Sequence, residues 1–174
     1  MGTSAPFDRS GPHDLRSAVM RSALEIFLRI EQSHQSMVGG ALVPIEGDAE
    51  ARERWLYEQA PFGLLAHDGG ADPRFVYANL TALRWFEYSW DDLVGRPSRQ
   101  SAGPEEQAER DRLLAEAARQ GWSDGYGGVR VSRTGRRFRI EDVLMWNLLD
   151  DAGERCGQAA MIRTCRPTSD DPSG

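Results

Sequence analysis

Lysine is missing from this chain: all 21 basic residues among its 174 are arginine. That excludes chemistry needing a lysine amine, such as Schiff-base catalysis, pyridoxal phosphate attachment and the phosphate loop of P-loop nucleotide hydrolases. Cysteine is scarce. Cys156 and Cys165 show no Cys-x-x-Cys spacing, so they supply neither a disulfide framework nor a zinc site, and two free thiols suit a reducing cytosol. Histidine occurs only as His13, His34 and His67, with no His-x-x-x-His pair and no Gly-x-Ser-x-Gly elbow. His67 falls at a strand end ahead of a glycine-rich turn, where a solvated imidazole is expected. Long apolar runs are lacking: nothing approaches the ~18 residues of a membrane span. Arg21 and Glu25 interrupt the apolar stretch near the start, so no signal peptide is expected and the cytoplasm is the expected location. Excess positive charge is lacking too. A net charge of −6 argues against a nucleic-acid surface. With 40% hydrophobic and 28% charged residues, the composition is that of an ordinary soluble domain large enough for a real core.

The stretch from Arg74 to Arg99 organises the rest. It opens as a strand at Phe75-Val76-Tyr77 after the turn-forming Gly69-Gly70-Ala71-Asp72-Pro73. Asn79 precedes a helical pattern of Leu80, Leu83 and Phe86 and is suited to cap it. Ser89 and Asp92 form a capping box for a second short helix, which Gly95 ends and Pro97 keeps from continuing.

Around this centre, residues 1–13 have little to bury and are expected to be a disordered arm. A helix from Asp14 carries Leu15, Val19, Ala23, Ile26 and Ile30 at steps of three and four residues, with Leu24, Phe27 and Leu28 widening the stripe. It either packs on its own domain or forms a dimer seam; a homodimer through this helix is the expectation carried forward. A second helix spans Ala49 to Gln59 behind Asp48. Strands follow at Phe62 to His67 and Arg74 to Ala78. Pro104 is placed to open a long helix that Gly121 ends, and three strands then run over Tyr126 to Ser132, Arg137 to Leu149 and Glu154 to Arg163. The expected division is 1–13 arm, 14–47 helix and connector, 48–165 domain, 166–174 flexible tail. The class is α+β: a five-stranded antiparallel sheet with helices on one face and extra N-terminal helices.

The order of these elements resembles the front half of a PAS domain, and the residues are more similar still to MEKHLA domains, a PAS-related family with small bacterial members. The likeness is carried by Ala60-Pro61-Phe62, Asp72-Pro73, Tyr77-Ala78-Asn79, Phe86-Glu87, Pro97-Ser98-Arg99 and Ser101-Ala102, then by Thr134 to Ile140, Trp146-Asn147 and Gly157 to Ala160. It runs from about Glu25 to Ile162. The resemblance implies a non-enzymatic sensory or interaction module in signal transduction, binding a small molecule or a partner protein that carries the output. The alternative is a small-molecule enzyme or a non-covalent flavin protein using the same cleft. Covalent flavin chemistry of the LOV branch is disfavoured, because Ser98 stands where LOV proteins carry their reactive cysteine and a hydroxyl forms no such adduct. Haem is disfavoured because the long helix from Pro104 to Gln120 has no histidine. The cofactor therefore stays unassigned.

The paired carboxylates Asp91-Asp92, Glu105-Glu106 and Asp150-Asp151 fall at helix starts or turns, where capping and solvation account for them. No catalytic or metal-binding residue is expected. The expected ligand-binding residues are Tyr77, Phe86, Ser98, Arg99, Arg130, Asp142, Trp146 and Gln158. On the long strand Phe138, Ile140, Leu144, Trp146 and Leu148 share one face by period two, and Asp142 falls in the same phase. Asp142 is then either thrown outward by a β-bulge or turned into the cleft to meet Arg130 or Arg99. Arg99, held by the Pro97 turn, is expected to pair with Asp142 or with an acidic ligand.

Overall fold

The computed structural model of the chain describes residues 12–168, with side chains described from residue 23 onward. Helix α1 spans Pro12–Met37 and α2 Ala49–Glu58; strands β1 (Gly63–Asp68) and β2 (Phe75–Ala78) follow. Two short helices, α3 (Leu80–Phe86) and α4 (Trp90–Leu93), lead to a 3-10 turn at Ser98–Ser101. The chain continues with α5 (Gln107–Gln120), β3 (Trp122–Val131), β4 (Arg137–Leu149) and β5 (Arg155–Pro167). The strands form one antiparallel sheet in the order β2-β1-β5-β4-β3. This is the expected α+β architecture, and both sides of the sheet are covered. Helices α3 and α5 lie over one face, with Ala82, Leu83, Phe86 and Ala117 in its core. The extra N-terminal helices α1 and α2 close the other, bringing Phe27, Ile30 and Leu56 against Leu64, Ala66 and Trp146.

The expected arm lies outside the described residues apart from Pro12 and His13, which already belong to α1. The remaining boundary differences have local causes. α5 starts at Gln107 because Pro104, Glu105 and Glu106 form a turn in which Glu106 is spent on an ion pair with Arg137. Arg166 is paired with Arg139 inside β5, so the expected tail begins later than position 166.

The long strand β4 corrects the period-two pattern. Asp142 has φ +54, a left-handed conformation that aspartate tolerates better than most residues. Before it, Phe138 and Ile140 face the α3–α5 side; after it, Val143 and Met145 do. Leu144, Trp146 and Leu148 are thereby turned to the opposite face, against α1. One residue in a left-handed conformation exchanges the two faces, as a one-residue slip would. Asp142 itself points outward and pairs with Arg163 at 3.1 Å. Of the two alternatives for this acid, the outward one describes the structure.

From Ala23 on, α1 is fastened to its own sheet. Phe27 and Ile30 are fully buried, Trp146 Nε1 donates to the Ile30 carbonyl at 3.3 Å, and the Leu149 amide donates to Ser33 Oγ at 2.9 Å. The His34 ring meets Trp146 edge-on at 5.0 Å. The apolar stripe of the sequence is thus largely consumed within the chain from Ala23 on.

Two polar contacts fix the centre. Asn79 is fully buried and does more than cap α3. Its Oδ1 accepts from the Ala82 amide (3.0 Å) and the Leu64 amide (2.8 Å), while Nδ2 donates to the carbonyls of Phe62 (2.8 Å) and Leu56 (3.2 Å). Helices α2 and α3 and strand β1 are tied through one side chain. Glu87 closes α3 with φ +59, and its carboxylate receives Ser132 Oγ, Thr134 Oγ1 and Arg136 Nε. The β3–β4 turn is thereby latched to the helix end.

Both contacts have measurable consequences. Asn79→Ala should destabilise by roughly 2–4 kcal/mol, because buried amides and carbonyls lose their partner, whereas the exposed cap Ser89, which accepts only from the Asp92 amide, should cost about 1 kcal/mol on Ser89→Ala. Equal shifts of the urea midpoint in the two variants would contradict this ordering. The hydrogen bonds from Ser132, then Thr134, pull the Glu87 pKa down to about 2. A depressed carboxyl contributes stability that is full above its unfolded pKa of about 4.3 and is lost as pH falls through the folded value. The Glu87→Gln protein should therefore lose stability less steeply than the parent as pH falls from that value toward 2. Parallel curves in urea melts would remove the latch.

Candidate functional site

Between the α3–α5 face of the sheet, the 3-10 turn and α5 lies a cavity of about 60 Å³. Its walls are mainly apolar, with Phe75, Phe86, Ile140, Val143 and Met145 among them. The face exchange at Asp142 is what puts Val143 and Met145 here in place of Leu144 and Trp146.

Four of the expected site residues, Phe86, Ser98, Arg130 and Gln158, line this cavity. Ser98 is 1% exposed, and its Oγ accepts from Arg110 Nη2 at 2.8 Å. Gln158 sits in the wall, but its amide is committed to the Leu114 carbonyl of α5 at 3.0 Å. Beside it, Asn147 Nδ2 donates to the Ala118 carbonyl at 2.9 Å, so the two amides pin α5 to the sheet.

The other four do not line the cavity. Tyr77 lies on the α1 face, edge-on to Trp90 at 5.7 Å, because β2 carries an irregularity that separates its side from that of Phe75. Burial pushes its phenol pKa up. Trp146 is on the same far face. Arg99 turns outward from the 3-10 turn and pairs with Asp72 at 3.0 Å, both side chains being well exposed. The expected Arg99–Asp142 pair is absent, each partner being engaged elsewhere.

Sequence reasoning missed Arg110, Tyr126 and Ser101 and placed His67 wrongly in solvent. Arg110 comes from the first turns of α5 and is 7% exposed, its Nη1 reaching Asp111 at 3.1 Å. Arg130, also 7% exposed, donates to the Tyr126 hydroxyl at 2.6 Å and to the Val129 carbonyl at 2.8 Å. It has no carboxylate partner among the described residues. Burial, and then repulsion from Arg130, lowers the Arg110 pKa. His67 is 8% exposed; Nδ1 donates to the Asp68 carbonyl at 2.7 Å, and Nε2 has no hydrogen-bond partner among the described residues. Burial lowers its pKa, so the ring is neutral with Nε2 as an acceptor. A legible signal did exist in Tyr126-Gly127-Gly128-Val129-Arg130. A Cβ at Gly128 would stand 2.6 Å from the Tyr126 hydroxyl and 3.2 Å from Arg130 Nη1, so the glycine leaves room for that pair.

The wall serines are spent on structure: Ser98 accepts from Arg110, and Ser101 Oγ donates to the Ser98 carbonyl at 2.8 Å. Neither is hydrogen-bonded to a base. The Ser98 hydroxyl is held by Arg110. Among the described residues no cluster of His, Cys, Asp or Glu could hold a metal ion, and no helix is long and apolar enough to cross a membrane.

The fold is shared with solved sensory domains. A PAS domain from Colwellia psychrerythraea superposes with a TM-score of 0.57 at 14% identity, over 67% of this chain and 96% of that one. The LOV domain of a blue-light activated histidine kinase from Erythrobacter litoralis gives 0.52 at 24% identity, over 63% of this chain and 100% of that domain. No curated protein matches. The MEKHLA domain model matches residues 24–166, which takes in α2, the whole sheet except its last residue and every residue of the cavity wall, and the chain belongs to the MEKHLA domain family.

Proposed function

We propose that this protein is a non-enzymatic sensory module that binds a small molecule in the cavity under α5 and passes that event on by association, with itself or with a partner protein carrying the output. The observation that supports it is a mostly apolar cavity with buried polar groups, set against a helix that the sheet holds by two side-chain amides. A ligand touching Arg110, Leu113 or Leu114 bears directly on α5. Small shifts of a packed helix are a common form of such switching. The reading includes a homodimer through the N-terminal part of α1 and a cytoplasmic setting, which the free thiols of Cys156 and Cys165 suit.

Native mass spectrometry of the protein purified gently from its host tests ligand and subunit count together. The expected result is a dimer carrying a retained small molecule, which is lost in the cavity-filling variant Ala160→Phe. The 23–174 chain, which keeps Phe27 and Ile30, should run as a smaller species. A bare chain whose melting temperature ignores a host metabolite extract would overturn the sensor. A retained flavin would favour the flavin protein instead, and a truncated chain with unchanged subunit count would move the seam elsewhere.

A further inference from the structure

Two arginines buried in one small cavity, with no carboxylate beside Arg130, are an unusual expense for a fold that could have filled the space with leucine. Buried cations are ordinarily paired. The carboxylate that Arg110 reaches is the exposed Asp111, and Arg130 reaches a phenol and a carbonyl. The net charge of this wall is positive, because the lining residues include these two arginines and no acid. The lining also includes His67, whose Nε2 is buried and without a partner among the described residues. The cavity thus offers cationic donors and a neutral acceptor in a mainly apolar lining.

We infer that the ligand is a short-chain hydroxycarboxylate, its carboxylate held by Arg110 and Arg130, its hydroxyl donating to His67 Nε2 and its alkyl body lying against Phe86, Val143 and Met145. This deepens the sensor reading and rests on it. Guanidinium groups suit the charge, since their planar donors match a carboxylate and they stay protonated when buried. The Tyr126 hydroxyl and Ser98 Oγ each hold one arginine nitrogen, which orients the forks before any ligand arrives. The small size of the cavity, about 60 Å³, suits a short chain. Apolar walls favour a carboxylate with an alkyl body over inorganic phosphate. Binding an anion between the arginines also removes their mutual repulsion, so the ligand should draw α5, which carries Arg110, toward β3, which carries Arg130.

The test is calorimetry and thermal shift on the full chain with lactate, propionate, lactamide and inorganic phosphate at matched ionic strength. Lactate should bind most tightly, with propionate weaker through loss of the hydroxyl and lactamide at least ten-fold weaker through loss of charge. Arg130→Gln should weaken lactate at least ten-fold while leaving lactamide unchanged. If Arg130→Gln does not fold, Arg130→Lys, which keeps the charge but not the fork, should still lose several-fold in lactate affinity. His67→Leu should erase the preference for lactate over propionate. Lactamide binding as well as lactate would overturn the anion and leave the sensor standing. Phosphate binding in preference to lactate would overturn the carboxylate, and an unchanged lactate preference in His67→Leu would overturn the hydroxyl contact. No response to any of the four probes would overturn the ligand class, whereas the sensor falls only if protein from the host is bare and unresponsive.

Discussion

The fold depends first on the carboxamide of Asn79. It is the only kind of uncharged side chain with two donors and an acceptor that can take two bonds, and here every one is used. The amide of Leu64 opens β1, the carbonyls of Leu56 and Phe62 end α2 and its connector, and the amide of Ala82 lies in the first turn of α3. All three segments have to meet at one buried point, and none has a water molecule's freedom to replace the amide. Once that point is set, the angle between α2, β1 and α3 is set too. α3 then presents Ala82, Leu83 and Phe86 to the sheet, and Phe86 stands edge-on to Phe138 at 4.9 Å. Phe86 is also a wall of the cavity, so the site inherits its position from the cap.

The second constraint is that the sheet must bury both faces. A strand covered on both sides carries apolar residues at every position rather than in alternation, and Val143 to Trp146 is such a run. Alternation alone then cannot say which residues belong to the cavity. The left-handed turn of the backbone at Asp142 decides it, giving Val143 and Met145 to the cavity and Leu144 and Trp146 to α1. Arg163 holds the outward carboxylate of Asp142 together with that of Asp124, which fixes the strand at the point of exchange.

Features legible in the sequence were those whose cause is local. The caps at Asn79 and Ser89, the helices around them and the five strands follow from spacing and turn chemistry, and the structure has them. The likeness carried by Tyr77-Ala78-Asn79 and Phe86-Glu87 agrees with the family match. The site was half legible, and the misses have separate local causes. Positive φ at a residue other than glycine leaves no mark in a hydrophobic period, so Trp146 and Asp142 were assigned to the wrong side or left open. The Pro97 turn was rightly set beside the cleft, yet Ser98 takes the inward direction and Arg99 the outward one, a matter of one residue in a 3-10 turn. The guanidinium that meets Ser98 comes instead from Arg110, whose helical position resembles that of any solvent-facing charge.

The absence of lysine bears on this arrangement. A lysine buried beside Arg130 would escape the repulsion by losing its proton, since burial readily shifts an ammonium group. Arginine has no such exit at any accessible pH, so the charge in the cavity is permanent and only geometry or a counter-ion can relieve it. Geometry relieves part: Ser98 and Tyr126 each accept one guanidinium bond, and the Arg130 guanidinium stacks over the Tyr126 ring at 5.4 Å. The remaining repulsion lies between α5 and β3, which are joined through Gly121 and held further by the buried Ala117 and by the Gln158 and Asn147 amides. The anion proposed above would neutralise that repulsion at the Arg110 end, while the two amides hold the later turns of α5. On the sensor reading proposed above, the Arg110 end of the helix is the part such a change of charge would act on, since Asn147 and Gln158 hold the helix at Ala118 and Leu114.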